Sequence, residues 1–409
     1  MTQPPASAVD VRNFGCRLNI AEGENIRIAA GEAGVSDAVI FNSCAVTDEA
    51  VRQTRQAVRR ALRENPERPV FVTGCAAELE ADKFAAMGAV VVKNDAKGDI
   101  ASYNGGHAAH KIAAPYQPAL SGADHARAFL GVQTGCSHSC TFCATVLARG
   151  SANSATGASV IAAARTALKR GQKEIILTGV DLASFGDDSQ SSLASLVENL
   201  LALDGLHRLR LSSLDPDRID DALFALITQE TRIMPHVHLS LQAGDDMILK
   251  RMKRRHNRAE AVDLVARLKQ ARPEIAIGAD LIAGFPTEDD AMFANSLALI
   301  DDCDIIFGHI FPYSPRAGTP AARMPQVGRA LAKERAAMMR AANERRRHAW
   351  MDAQIGQSAS MLVERDGMTG HAANFAALTL TTPAPAGTIQ AVHLRTRDGD
   401  RMIAERIAA

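Results

Sequence analysis

Six short apolar runs recur along the middle of the chain: FLGVQTG, IILTG, LRLSSL, VHLSL, IAIGADLIAG and IIFGHIF. They stand roughly 30 to 45 residues apart, which leaves room for a crossover helix between each pair of parallel strands. Six βα units predict a partial (β/α)6 barrel. Ligands of such barrels gather at the carboxyl ends of the strands, so the loops after Gly135, Gly179, Ser212, Leu241 and Gly284 are expected to converge.

The flanking sequence has a different texture on each side. From residue 10 to 97, short apolar runs alternate with amphipathic stretches, as in an open and mostly parallel α/β sheet. VIFNSC and VFVTGC read as strands, and Thr47, Asp48 and Glu49 suit a helix start. AELEADKFAAMG reads as one further helix. Residues 98–127 have no clear period and read as a linker, with His107, His110 and His125 as solvated side chains. Residues 329–355 read as a helical connection. From 356 to 409, short alternating runs separated by Asp-Gly and Pro-rich turns predict a small all-β module. The fold class is therefore α/β: an N-terminal open sheet domain (1–97), a central partial barrel (128–328) and a C-terminal β-barrel (356–409).

At 409 residues, with 47% apolar and 22% charged side chains, the chain can bury a large core and is not disordered. No run approaches 18 consecutive apolar residues, and residues 1–16 lack the pattern of an export signal, so a cytoplasmic location is expected. Lys plus Arg balance Asp plus Glu at 46 each, so any affinity for nucleic acid must come from local patches. Seven cysteines without an export signal favour thiolate ligands or reactive thiols over disulfides.

Cys136, Cys140 and Cys143 lie in GCSHSCTFCAT, directly after the first barrel run. Three thiolates on one short loop can hold three irons of a [4Fe-4S] cube and leave the fourth open to chemistry. A zinc knuckle or packed core cysteines are the alternatives, but zinc sites usually pair two C-x2-C units. The loop resembles the cluster motif of the radical S-adenosylmethionine superfamily. That resemblance implies that S-adenosylmethionine chelates the open iron and is cleaved to a 5′-deoxyadenosyl radical, with Phe142 beside the adenine.

Cys16, Cys44 and Cys75 each fall where an apolar run gives way to polar sequence, so they can converge at one sheet edge as a second trio, the alternative being scattered core cysteines. Their surroundings, FGCRLN, FNSCAVTDEA and VTGC, resemble the N-terminal domain of the methylthiotransferase family. LTGVDLASFG, LRLSSLDPD, PHVHLSLQAGDDMILKRMKRRH, IGADLIAGFPTE and HIFPYSPRAGTPAARMP are similar to successive segments of that family. The wording is most like the enzymes that modify threonylcarbamoyl-adenosine beside the tRNA anticodon. MLVE and GHAANF resemble a TRAM domain, a small RNA-binding β-barrel. By the same resemblance, Gly179, Asp181, Ser240 and Gln242 line the S-adenosylmethionine pocket. Cys303, in CDIIF, matches no motif and reads as a buried thiol in an apolar strand. The chain departs from the family after Arg149-Gly150, where further arginines are missing; Arg149 remains a candidate for a carboxylate or phosphate contact.

The resemblance implies two [4Fe-4S] clusters, S-adenosyl-L-methionine, a tRNA anticodon loop, an external low-potential electron donor and an unknown sulfur donor. It implies transfer of a methylthio group to carbon 2 of adenine. Neighbouring readings move the same chemistry to isopentenyl-adenosine or to an aspartate of a ribosomal protein; a reading of another class is a non-catalytic RNA-binding protein with metal sites. KRMKRRHNR and the helix over 329–348 are basic enough to neutralise phosphates, or to be solvated helix faces.

Overall fold

The computed structural model describes residues 9–105, 115–189 and 191–407, so His107 and His110 lie outside the described residues. At the N-terminus, β1 (Asp10–Asn13), β2 (Val39–Ser43), β3 (Val70–Gly74) and β4 (Val90–Val91) pair in parallel in that order. They are connected through α1 (Arg17–Glu32), α2 (Asp48–Glu64), α3 (Cys75–Leu79) and α4 (Ala81–Ala85). Strands β2 and β3 are buried at every position, as expected of a parallel sheet covered on both faces. Helix α2 starts where its capping residues place it: Thr47 Oγ1 accepts the Ala50 N–H at 3.1 Å. The single helix expected over AELEADKFAAMG is broken at Glu80, whose φ is −135°. The Glu80 carboxylate pairs with Arg55 of α2 and with Lys83, a tertiary contact that overrides local helix propensity.

The central region adds β5 (Ala119–Leu120), β6 (Ala128–Gly131), the two-residue partners β7 (Gln133–Thr134) and β8 (Asn153–Ser154), and α5 (Thr145–Arg149). Then follow α6 (Gly157–Lys169), β9 (Glu174–Thr178), α7 (Leu193–Leu201), β10 (Arg208–Leu211), α8 (Asp221–Gln229) and β11 (His236–Gln242). The last units are α9 (Asp246–Met252), α10 (Arg258–Ala271), β12 (Ala276–Ala283), α11 (Asp290–Asp302) and β13 (Ile305–Pro312). Strands run β10-β9-β6 and β11-β12-β13, all parallel, and bridges Leu209–Ile233 and Leu214–Leu239 join the two sets. This is the expected six-stranded partial barrel. Inside the segment read as a linker, β5 pairs antiparallel with β6 as an edge strand. Cys303 caps α11 two residues before β13 and is fully buried, so it is a helix end and not a strand residue.

Strand alternation divides the barrel into two faces. Leu130, Ile175, Leu177, Leu209, Val237, Leu239 and Ile277 pack outward under the helices in the main core. Phe129 and Ile176 face the other way and meet Ala21 of α1. The first helix of the N-terminal unit thus lies against the inner face of the barrel's early strands. Among the described residues, no helix is long and apolar enough to cross a membrane.

Helix α12 (Arg329–Asp352) leads to β14 (Ser358–Val363), β15 (Thr369–Ala372), β16 (Ala377–Leu380), β17 (Ile389–Asp398) and β18 (Arg401–Arg406). These five strands close into a barrel in the order β14-β15-β16-β18-β17. Buried arginines fasten it to the central region. Arg210 donates to the carbonyls of Ala372 and Ala373 at 2.8 and 2.9 Å, and Arg208 donates to that of Ser360 at 2.7 Å.

Candidate active site at the shared strand edges

The loop between β7 and α5 carries Cys136, Cys140 and Cys143, and its backbone turns its own N–H groups toward sulfur. Cys136 Sγ accepts the His138 N–H at 3.3 Å, and Cys143 Sγ accepts the Thr145 N–H at 3.4 Å. Cys140 Sγ accepts from the Arg254 guanidinium at 3.5 Å. Burial, with Asp181 and the two companion cysteines adding to it, pushes the Cys136 thiol up to about 12. Ionising Cys136 therefore requires a positive partner at its sulfur.

Cys16, Cys44 and Cys75 stand at the N-cap of α1, just past β2 and at the first turn of α3, all at the carboxyl edge of the N-terminal sheet. Gly15 allows their approach. Its φ is +87°, and a Cβ placed there would collide with the Cβ and Sγ of Cys44. Burial first, then Cys16 and Cys75, raise the Cys44 thiol to about 11. Cys16 is exposed to solvent, yet the protein around it raises its thiol by desolvation.

Arg149, at the end of α5, joins the two trios. Its Nε donates to Cys75 Sγ at 3.2 Å, and its other nitrogens bind Glu22 at 2.9 Å, Asn19 at 2.7 Å and Thr134 at 3.1 Å. Lys97 reaches the same Glu22 carboxylate at 2.5 Å. Burial raises the Glu22 pKa, but Arg149 and Lys97 outweigh it and bring it down to about 2. Arg149 does contact a carboxylate, but an internal one: with 3% of its side chain exposed it ties two parts of the chain together and is not on display to substrate.

Asp181 lies beside the Cys136 loop, with its carboxylate 3.8 Å from Cys136 Sγ and 3.4 Å from His138 Nε2. Gly179 leaves room for Gln133, whose Oε1 accepts the N–H groups of Val180 and Asp181 at 3.0 and 2.9 Å; a Cβ on Gly179 would stand 2.9 Å from that oxygen. The Ser240 carbonyl accepts from Arg254 at 3.0 Å. Gln242 ends β11 at a bulge, with φ +66°, a conformation unusual for a side-chain-bearing residue and common at functional sites. Phe142 is half-buried and edge-on to Phe285, in an apolar cluster with Ile248 and Met252.

His138, Asp215, Arg254, Gln133 and Glu22 belong to this neighbourhood but carry no motif of their own in the sequence analysis. Asp215 Oδ2 is 3.7 Å from His138 Nδ1 and its other oxygen pairs with Arg254. Only their place beside a cysteine or at a strand end, as in LSSLDPD, could have marked them. The basic run KRMKRRHNR is only partly a surface patch: Arg251, Arg254 and Arg258 turn to internal partners, leaving Lys250, Lys253 and Arg255 exposed. On α12, Arg335, Arg346 and Arg347 are likewise paired with acids.

Below the cysteines the barrel interior is polar. His238 and His309 both approach Asp280 Oδ1, at 3.1 and 3.2 Å, and His236 stacks on Phe375 of the C-terminal barrel at 4.7 Å.

All seven cysteines are free thiols. Two sets of three, several already accepting N–H bonds, form a soft donor set suited to iron-sulfur clusters, whose sulfurs take such bonds. Residues 130–300 match the radical SAM superfamily, and residues 8–93 match an uncharacterized protein family, UPF0004. The chain is 41% identical to the threonylcarbamoyladenosine tRNA methylthiotransferase MtaB of Rickettsia prowazekii, covering 93% of each. The Bacillus subtilis protein of that name is 33% identical, over 80% of this chain and 78% of its own. A tRNA-2-methylthio-N(6)-dimethylallyladenosine synthase of Sphingopyxis alaskensis is 32% identical, over 87% and 86%. The solved radical S-adenosylmethionine methyltransferase TsrM of Kitasatospora setae shares the fold, with a TM-score of 0.52 at 15% identity over 75% of this chain and 68% of its own. A strand-end thiolate loop on a partial barrel, a second trio beside it and relatives matched almost end to end lead to one conclusion: the chain belongs to the radical S-adenosylmethionine methylthiotransferase family.

Proposed function

We propose that this enzyme adds a methylthio group to carbon 2 of threonylcarbamoyl-adenosine beside the tRNA anticodon. In this reading Cys136, Cys140 and Cys143 hold one [4Fe-4S] cluster, and Cys16, Cys44 and Cys75 hold a second. The observation that carries it is the Arg149 bridge, which fixes the second trio against the helix that follows the first. The substrate reading is supported by 41% identity to a relative named for threonylcarbamoyladenosine, against 32% to one named for dimethylallyladenosine.

When bound, a reduced cluster on the Cys136 loop supplies the electron that cleaves S-adenosylmethionine to a 5′-deoxyadenosyl radical, because an aromatic C–H bond is too inert for base catalysis. The chain's own residues bind and shield. Asp181, beside Cys136, is placed for the amino group of S-adenosylmethionine, with Gly179, Ser240 and Gln242 at neighbouring strand ends and Phe142 on the apolar side. Lys250, Lys253 and Arg255 stay exposed and can meet RNA phosphates. Residues 1–97, 128–328 and 356–409 then act as the second-cluster unit, the radical barrel and the RNA-binding barrel. An external low-potential reductant and a sulfur donor complete the system.

The test is mass spectrometry of tRNA nucleosides from a strain lacking the gene. Loss of methylthio-threonylcarbamoyl-adenosine, restored by the intact gene, is expected. Its persistence while another methylthio nucleoside disappears contradicts the substrate assignment.

A further inference from the structure

Helix α1 carries into the barrel a cation that no acid among the described residues pairs with. Arg17 follows Cys16 directly, and its guanidinium lies 5.3 Å from the ring centroid of Phe375. Among the described residues it makes no hydrogen bond and no ion pair. The acids around it already have hydrogen-bonding partners. Glu174 takes Arg208 and Arg210 at 3.4 and 2.8 Å, Arg127 takes Glu364 at 2.7 Å, and Asp280 takes His238 and His309. The spare nitrogens of Arg208 and Arg210 are used on carbonyls of the C-terminal barrel. A half-buried guanidinium with no anion loses hydration without compensation, so this geometry suits an anion that arrives with a ligand.

The position of Arg17 says which part of a ligand that is. It lies one residue from a cysteine of the second trio and points past it toward Phe375, His236 and Phe307. The threonylcarbamoyl group ends in a carboxylate, whereas the isopentenyl group is a hydrocarbon. We propose that Arg17 binds a carboxylate on the N6 substituent of the target adenine and so selects amino-acid-conjugated adenosines over prenylated ones. This rests on the substrate reading above and adds the residue that enforces it. Phe375 of the C-terminal barrel seats the guanidinium by a cation–π contact.

The test uses the full-length chain, reconstituted anaerobically, on anticodon stem-loop RNA bearing threonylcarbamoyl-adenosine and on the same RNA with the threonyl carboxylate converted to its primary amide. Wild type is expected to favour the acid by about 10- to 100-fold in kcat/KM, the worth of a charge-assisted hydrogen bond. Arg17→Leu should bring that ratio near one, and Arg17→Lys should keep part of it. Iron content is measured on each sample, and Arg17→Gln replaces the leucine variant if that loses iron. Equal rates for acid and amide in wild type, or the wild-type ratio in Arg17→Leu, overturn the proposal. A raised KM for S-adenosylmethionine with an unchanged ratio also overturns it, by assigning Arg17 to the methionine carboxylate. Methylthiolation of isopentenyl-adenosine RNA and not of threonylcarbamoyl RNA by wild type is a separate failure, of the substrate reading itself.

Discussion

Replacing Arg149 with Met removes the tie between the two cysteine trios while keeping most of the side-chain volume. In the variant, Glu22 keeps Lys97 and the Tyr116 hydroxyl but no guanidinium, and Asn19 Oδ1 and Thr134 Oγ1 lose a donor. Removing one partner of a buried ion pair costs about 3 to 5 kcal/mol, because the remaining charge stays in low dielectric. At roughly 2 to 4 °C per kcal/mol, the first thermal transition should fall by some 6 to 20 °C. Calorimetry of the reduced, iron-free chain reads this directly, without contribution from bound metal. Glu22→Gln added to Arg149→Met should recover part of the loss, since it removes the stranded carboxylate. The pH dependence has a definite sign. Arg149 and Lys97 hold Glu22 at about 2 against burial, below its unfolded value, so its contribution is complete above about pH 4.3 and is lost as pH falls toward 2. A variant within about 1 kcal/mol of wild type, or a double variant whose losses simply add, refutes the account of Arg149 as a buried link.

Other substitutions separate the roles of neighbouring residues. Gly15→Ala drives a Cβ into Cys44 and should cost the N-terminal trio its iron, read as loss of about half the iron per chain after reconstitution. Cys303→Ala, in the sealed core beside α11, should leave iron content unchanged and cost about 1 to 2 kcal/mol in urea unfolding. Arg210→Met leaves Glu174 paired with Arg208 and takes a donor from the carbonyls of Ala372 and Ala373; at about 3 kcal/mol or more, this should expose residues 353–357 to limited proteolysis.

The fold was legible where sequence periodicity and chemistry agree. The six apolar runs became β6, β9, β10, β11, β12 and β13 because parallel strands buried on both faces need continuous Val, Ile and Leu. The placement of Cys16, Cys44 and Cys75 at the carboxyl edge of the N-terminal sheet was legible because each follows a strand, a position that turn residues mark locally. What escaped was set by contacts distant in sequence. Glu80 breaks a helix for the sake of Arg55, and β5 forms from two residues that carry no strand period of their own. Arg149 reads as a carboxylate or phosphate contact, but no local signal shows that the carboxylate is Glu22, far earlier in the chain. Arg254 and His256 sit in a basic run that reads as surface, yet they turn inward to Ser240 and Leu241.

The claim on which the rest depends is that two separate thiolate trios each hold a cluster. Anaerobic reconstitution followed by iron counting and Mössbauer spectroscopy tests it on three proteins: wild type, the Cys16→Ala/Cys44→Ala/Cys75→Ala variant and the Cys136→Ala/Cys140→Ala/Cys143→Ala variant. The expected result is about eight irons for wild type and about four for each variant, all as [4Fe-4S]. Saturation of wild type at about four irons, or about eight in the variant lacking Cys16, Cys44 and Cys75, contradicts it.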